Sequence, residues 1–226
     1  MKKTLSVFLI VALFLIVMSC EKDKVDKADP SMLISSHTSG MISRESAIRI
    51  IFHEMMVPED DVGQEVADSP IDITPSLKGK TKWLNRFTLA FYPNERMPGD
   101  ETYEVNLDLS QIAETFYDYD DYRFEFKTIR QDLTIRMNEL QSLSQNDLKG
   151  QKLTGELITA DMEDGIAIEK IVTAEQDKTT LKIEWHHASD RRNHKFTISG
   201  INRQEEDSQV LLSWDGTVIG VDNKGK

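Results

Sequence analysis

Apolar and polar residues alternate with a period of two along most of this chain, and that alternation confines it to β structure. Ile48, Ile50 and Phe52 fall on one side of an extended backbone and Arg49 on the other. Phe87, Leu89 and Phe91 alternate with Arg86, Thr88 and Ala90. Tyr103, Val105, Leu107 and Leu109 alternate with Thr102, Glu104, Asn106 and Asp108, and Tyr122, Phe124 and Phe126 with Arg123, Glu125 and Lys127. Successive side chains of a strand point to opposite faces, so each run reads as a strand with one face in a core and one in water. Met97-Pro98-Gly99-Asp100 lies between two of these runs and puts Pro and Gly where a type II turn wants them. Short strands at this spacing predict an antiparallel sandwich of immunoglobulin type over residues 38–129.

The pattern restarts after Arg130. Leu133 to Leu143 and Leu153 to Thr159 read as strands. So do the alternating sets Leu181, Ile183 and Trp185, then Phe196 and Ile198, then Val210, Leu212 and Trp214. Within Gly165 to Glu175, Ile168, Ile171 and Val172 are at helical spacing, which predicts one short helix. Trp214 to Thr217 reads as a strand end and a tight turn. The expectation is an all-β chain of two tandem antiparallel β-sandwich (immunoglobulin-like) domains, the second over residues 130–226 with the short helix in it.

The N-terminus has a different grammar. Lys2 and Lys3 precede an almost wholly apolar run from Leu5 to Met18, and then come Ser19 and Cys20. The run is shorter than the roughly 18–20 residues a membrane-spanning helix needs, and it matches an export signal. An aliphatic residue, a small residue and then cysteine resemble the bacterial lipobox. Residues 1–19 are therefore expected to be a lipoprotein signal peptide, Cys20 the lipidation site, and residues 20–37 a tether. Membrane attachment through Cys20 and an outer-membrane location follow, with the face left open. Cys20 is the only cysteine, so no internal disulfide can form. The net charge is −12 and no run of five basic residues occurs, which excludes nucleic acid as a partner.

The densest polar cluster runs from His186 to His194. If Leu181–His187 and His194–Gly200 form a hairpin, Trp185 faces Phe196, Ile183 faces Ile198, and His187 faces His194. Those two imidazoles with Asp190 are the only candidate metal ligands. Zinc sites take four ligands, or three and a water, so the favoured reading is a polar rim with no metal and no cofactor. The run Tyr117 to Tyr122 is acidic and aromatic but lacks the glycine and final glutamate of a calcium loop. It reads as a solvated loop, with a peptide- or glycan-binding patch as the alternative. Trp83 and Trp214 are expected in cores. His53 lies near Glu54 but no G-x-S-x-G accompanies it, and there is neither a P-loop nor a G-x-G-x-x-G. The expectation is that the chain is not an enzyme.

Several stretches in order resemble one family. They are Thr38–Phe52, Ile73–Trp83, Arg86–Pro93, Met97–Leu109 and Phe124–Thr128. They continue as Leu153–Asp161, Ile183–His187, His194–Arg203 and Trp214–Asp222. Their order is similar to the N-terminal part of bacterial alpha-2-macroglobulin-like lipoproteins. The resemblance implies a piece of a protease inhibitor, with proteases or downstream macroglobulin domains as partners. The family's bait region and its C-x-E-Q thioester motif are absent. The implied role is a lipid-anchored tethering or interaction module. The alternatives are a surface peptide- or glycan-binding lipoprotein and a metal-dependent enzyme using His187, His194 and Asp190.

Overall fold

The computed structural model describes residues 28–112, 119, 121–146 and 148–226. Cys20, the signal segment, and Tyr117, Asp118 and Asp120 of the tyrosine run lie outside them.

The described chain is nearly all β. The first half contributes β1 (Ile34–His37), β2 (Gly40–Ile42), β3 (Ile48–Phe52), β4 (Ile71–Thr74), β5 (Gly79–Asn85), β6 (Thr88–Pro93), β7 (Thr102–Leu107) and β8 (Tyr122–Thr128). They form two four-stranded sheets, in the orders β1-β3-β6-β5 and β2-β8-β7-β4. The inward residues that the alternation picks out close one core between them, with Ile48, Ile50, Leu89, Val105 and Leu107 wholly buried. Ordered structure starts earlier than residue 38, because β1 already pairs with β3 and Ile34 is in the core. At Thr38–Ser39 the chain crosses to the other sheet. Gly40, at φ 69°, holds a left-handed conformation open to glycine, and β2 then pairs with β8 in parallel. The sandwich is therefore not purely antiparallel.

Two local readings change. Thr88 and Ala90 were expected in water, yet both are buried, while Phe87 lies exposed in the turn. Ala90 is small and is flanked across the sheet by Arg49 and Lys82, whose long aliphatic stems shelter it. In the Met97–Asp100 turn the left-handed residue is Asp100 (φ 62°), not Gly99. A Cβ on Gly99 would stand 3.1 Å from the Ile129 carbonyl oxygen, so that glycine serves close approach.

The second half contributes β9 (Leu133–Ser142), β10 (Gly150–Thr159), helix α1 (Gly165–Ile168), β11 (Val172–Gln176), β12 (Thr179–Thr180), β13 (Lys182–His187), β14 (Asn193–Asn202), β15 (Val210–Asp215) and β16 (Lys224–Gly225). Its sheets run β13-β14-β10-β9 and β12-β11-β15-β16 around a second core that includes Leu157, Ile168, Ile171, Phe196 and Ile198. The Asp164 side chain accepts from the Ile166 N–H and starts α1. Ile168 and Ile171 are buried from the helical stretch, and Val172 already opens β11.

Candidate functional site

Ion pairs join the two sandwiches. The turn between β2 and β3 supplies Arg44 and Glu45, the β6–β7 loop supplies Arg96, and the segment after β10 supplies Asp161 and Glu163. Arg44 donates from its backbone N–H and its Nε to Asp161 Oδ2, at 2.9 and 3.1 Å. Its Nη2 donates to Glu163 Oε1 at 2.5 Å, and Arg96 Nη1 donates to Glu163 Oε2 at 2.6 Å. Arg96 also pairs with Glu45, which takes both guanidinium branches of Arg191 at 2.6 and 3.0 Å. The Asp161 and Glu163 side chains are 2% and 5% exposed, so these charges work with little water between them. Burial pushes the Asp161 carboxyl up, but hydrogen bonds from Ser43, Arg44 and Met162 outweigh it and hold the group below the usual carboxylate range.

The linker is fastened to the same cluster. Ile129 donates to the Ile42 carbonyl at 2.9 Å. Gln131 is buried. Its amide donates to Glu163 Oε1 at 2.6 Å, and its carbonyl accepts from the Asp161 N–H at 2.9 Å. A buried polar network with each member paired fixes one geometry.

Beside this junction lies a cleft of about 1290 Å³ whose walls come from both halves. Met41, Gly99 and Asp100 bound it on the first sandwich, the linker forms part of its wall, and Ala160, Arg192 and the loop from Ile219 to Asn223 bound it on the second. Among the described residues that line it, none is aromatic. Ligand sites concentrate at such junctions between packed units.

The β13–β14 hairpin has the register expected from the alternation: Ile183 opposite Ile198, Trp185 opposite Phe196, His187 opposite His194. The two imidazoles meet Nδ1 to Nδ1 at 2.9 Å, and His187 Nε2 lies 3.2 Å from Glu169 Oε1. Partners assign the tautomers. His187 donates from Nε2 to Glu169, so its Nδ1 is bare and accepts from His194. That leaves His194 Nε2 as a buried lone pair, an atom without a hydrogen-bond partner. Asp190 does not join them. Its carboxylate accepts from the Arg192 and Asn193 backbone and the Asn193 side chain, closing the turn. Among the described residues no three His, Cys, Asp or Glu side chains converge as a metal site would require. Trp83 is core, at 5% exposure, and Trp214 packs against the second core with its indole N–H on Asn223.

Burial, then the His187 charge, lower the His194 pKa from its ordinary 6.5. The unfolded chain therefore takes up this proton first as pH falls. The stability tied to neutral His194 is full above about pH 6.5 and is lost as pH drops through the lower folded value. Denaturation midpoints should be level from pH 8 to 7 and decline below 6.5, and His194→Asn should flatten that decline. Identical slopes in the two proteins would refute the assignment.

No family model matches this chain, and no curated protein does. Solved structures do show similarity. An L,D-transpeptidase from Mycobacterium tuberculosis H37Rv is 13% identical with a TM-score of 0.31, over 71% of this chain and 61% of that one. L,D-transpeptidase 3 from the same species, in its 1.32 Å structure, is 12% identical with a TM-score of 0.31, over 73% of this chain and 74% of that one. An L,D-transpeptidase from Mycobacterium smegmatis is 8% identical with a TM-score of 0.30, over 80% and 71%. This chain thus spans less than two thirds of the first of them. The resemblance to alpha-2-macroglobulin-like lipoproteins is corrected here: neither a family model nor a curated protein bears it out, and these structures belong to another family. The inhibitor kinship goes with it. The expectation that the chain is not an enzyme is set aside, since the solved structures it is similar to are L,D-transpeptidases. At TM-scores near 0.3 they assign no chemistry to these residues.

Proposed function

We propose that this chain is a lipid-anchored protein of the cell envelope that binds an extended peptide in the cleft between its two sandwiches. The observation that carries the reading is the cleft itself, about 1290 Å³, walled by both halves beside a junction held by buried ion pairs. A site whose walls cannot shift loses little free energy to ordering when a ligand enters. Peptide is favoured over glycan because, among the described residues, no aromatic side chain lines the cleft as a stacking platform for sugar, whereas Met41 and Ile129 offer aliphatic contact.

The anchor supports the envelope address. A basic start, an apolar run and Ser19-Cys20 fit acylation of the Cys20 thiol. Cys20→Ser should abolish incorporation of labelled fatty acid and move the protein from the membrane pellet to the soluble fraction. Retained label would end the lipoprotein reading.

The binding role is tested by selecting peptides from a random displayed library on the mature protein. Hydrogen exchange then locates the bound peptides. Protection should appear at residues 129–132 and 219–223. Protection confined to other surfaces, or a library that yields no binder, would overturn the proposal.

A further inference from the structure

Strand β9 leaves the protein with one long edge unpaired. It has 10 residues, Leu133–Ser142, and stands last in its sheet. Among the described residues no strand pairs with its outer side. The other sheet edges are shorter or occupied. They range from the 2 residues of β12 and β16 to the 6 of β13, and β5 is bridged by Glu65 and takes N–H bonds from Gly63 and Val66. A long bare edge is a template for another strand.

β9 also carries apolar side chains out of the core. Leu140 lies opposite Leu153 and Met137 opposite Gly155, so Asn138 and Glu139 together form a bulge. The inward row is therefore Leu133, Ile135, Met137 and Leu140. Leu133 is 5% exposed, Met137 40% and Leu140 48%, so the row emerges into water along the strand. Its backbone faces the free edge. The Asp132 carbonyl accepts from the Ala160 N–H, and the Leu143 N–H donates to the Gly150 carbonyl, so both residues point toward β10. Backbone polar groups alternate between the two edges of a strand. With the bulge counted once, Ile135, Met137 and Leu140 direct their N–H and C=O groups outward. The opposite face carries Arg136 and the bulge, whose Asn138 amide bonds Thr154 Oγ1 at 3.0 Å. Arg136 and Glu139 are exposed, and neither is in an ion pair among the described residues.

We infer that this edge pairs, antiparallel, with β9 of a second copy of the chain, about a two-fold axis through Met137. A contact of that symmetry sets each residue against a partner that returns the same contact. Met137 then meets its own copy, Ile135 meets Leu140, and Arg136 meets the bulge and its Glu139. The outward N–H and C=O groups of Ile135, Met137 and Leu140 fall into hydrogen-bonded pairs. Apolar side chains share one face and opposite charges the other. Hydrogen-bond phase, apolar row and charge thus agree on a single register. The next registers that keep the faces matched would set Arg136 against its own copy or Glu139 against its own, and like charges directly opposite are unfavourable. Bulges and charges ordinarily blunt an edge. Here they are arranged so that a second copy satisfies them, and two four-stranded sheets join into one. The contact is separate from the cleft and stands without the peptide reading.

The test is cross-linking of the full chain with a short bismaleimide at single introduced cysteines. The parent chain, whose one cysteine is Cys20, is the blank. Met137→Cys should link to itself about tenfold or more faster than Met55→Cys, an exposed methionine of the first sandwich, because held groups react ahead of colliding ones. Ile135→Cys and Leu140→Cys should link to each other when the two proteins are mixed, and neither to itself. In sedimentation velocity, Arg136→Glu should weaken association about tenfold, since attraction becomes repulsion at both ends of the contact. Adding Glu139→Arg should restore it. Any cost of Arg136→Glu beside Glu156 is common to both variants, so the recovery reads the contact between copies. Equal rates at Met137→Cys and Met55→Cys, self-linking at Ile135→Cys or Leu140→Cys, or a charge swap that restores nothing would each overturn the inference. A parent chain that stays monomeric while a displayed peptide protects residues 133–142 would overturn it in favour of strand addition by a foreign peptide.

Discussion

Glu163→Ala should lower the stability of this protein by about 3–5 kcal/mol and split its unfolding into two transitions. Glu163 is 5% exposed and accepts from Arg44, Arg96 and Gln131. Truncation removes all three partnerships together. Arg44 keeps Asp161, but its Nη2 is left with no acceptor and the Gln131 amide keeps only the Asp161 carbonyl at 3.3 Å, which is the expensive half of losing a buried ion pair. At about 2–4 °C per kcal/mol for a chain of this size, the melting temperature should fall by roughly 10 °C. The splitting has a separate cause. Each half has its own hydrophobic cluster, and the junction between them is largely polar. One cooperative transition in the parent protein would therefore depend on the network around Glu163. Glu163→Gln keeps an acceptor oxygen for Arg44 or Gln131 and should fall between the two proteins. Scanning calorimetry that finds Glu163→Ala unchanged in midpoint and still a single transition would show that the junction is not held this way.

The same residues show what the sequence makes legible. Strands were readable because a period of two is local: Ile48, Ile50 and Phe52 need only each other to declare a face. The β13–β14 register was readable for the same reason, since Trp185 and Phe196 must meet if their strands pair. The junction was not. Arg44 meets residues 117 and 119 positions away, and Arg191 meets Glu45 across 146. In a chain with 29% charged residues, nothing marks those side chains as different from solvated ones. Gln131 is a further case, an ordinary polar residue in a linker whose burial depends on both sandwiches being in place. The candidate metal set failed for a geometric reason that alternation could not supply. It placed His187 and His194 on one face, but the turn claimed Asp190 for its own backbone. The cleft, built from five loops, two strand ends and a linker, has no sequence signature.

Phe196→Ala should destabilise the second sandwich by about 3–5 kcal/mol, the range for emptying a buried phenylalanine site. The ring is 2% exposed, tilts against Trp185 at 4.9 Å between centroids, and stands opposite Gly155 in the sheet. That last neighbour makes the prediction sharper. A Cβ on Gly155 would come within 2.4 Å of the Phe196 ring and 2.9 Å of the Arg136 carbonyl oxygen. The glycine is therefore the space in which the ring lies, and the two residues form one packing unit. Gly155→Ala alone should be destabilising because the ring must leave its place. In the Phe196→Ala background most of that clash is gone and only the Arg136 oxygen remains close. The double variant should then be more stable than the sum of the single losses predicts, by about 1–3 kcal/mol of coupling. Fluorescence can read the result from the right half, because Trp185 and Trp214 belong to the second core and Trp83 to the first. With Trp83 replaced by Phe in all four proteins of the cycle, chemical denaturation reports the second sandwich alone. Strict additivity would mean that the ring and the glycine do not share that space.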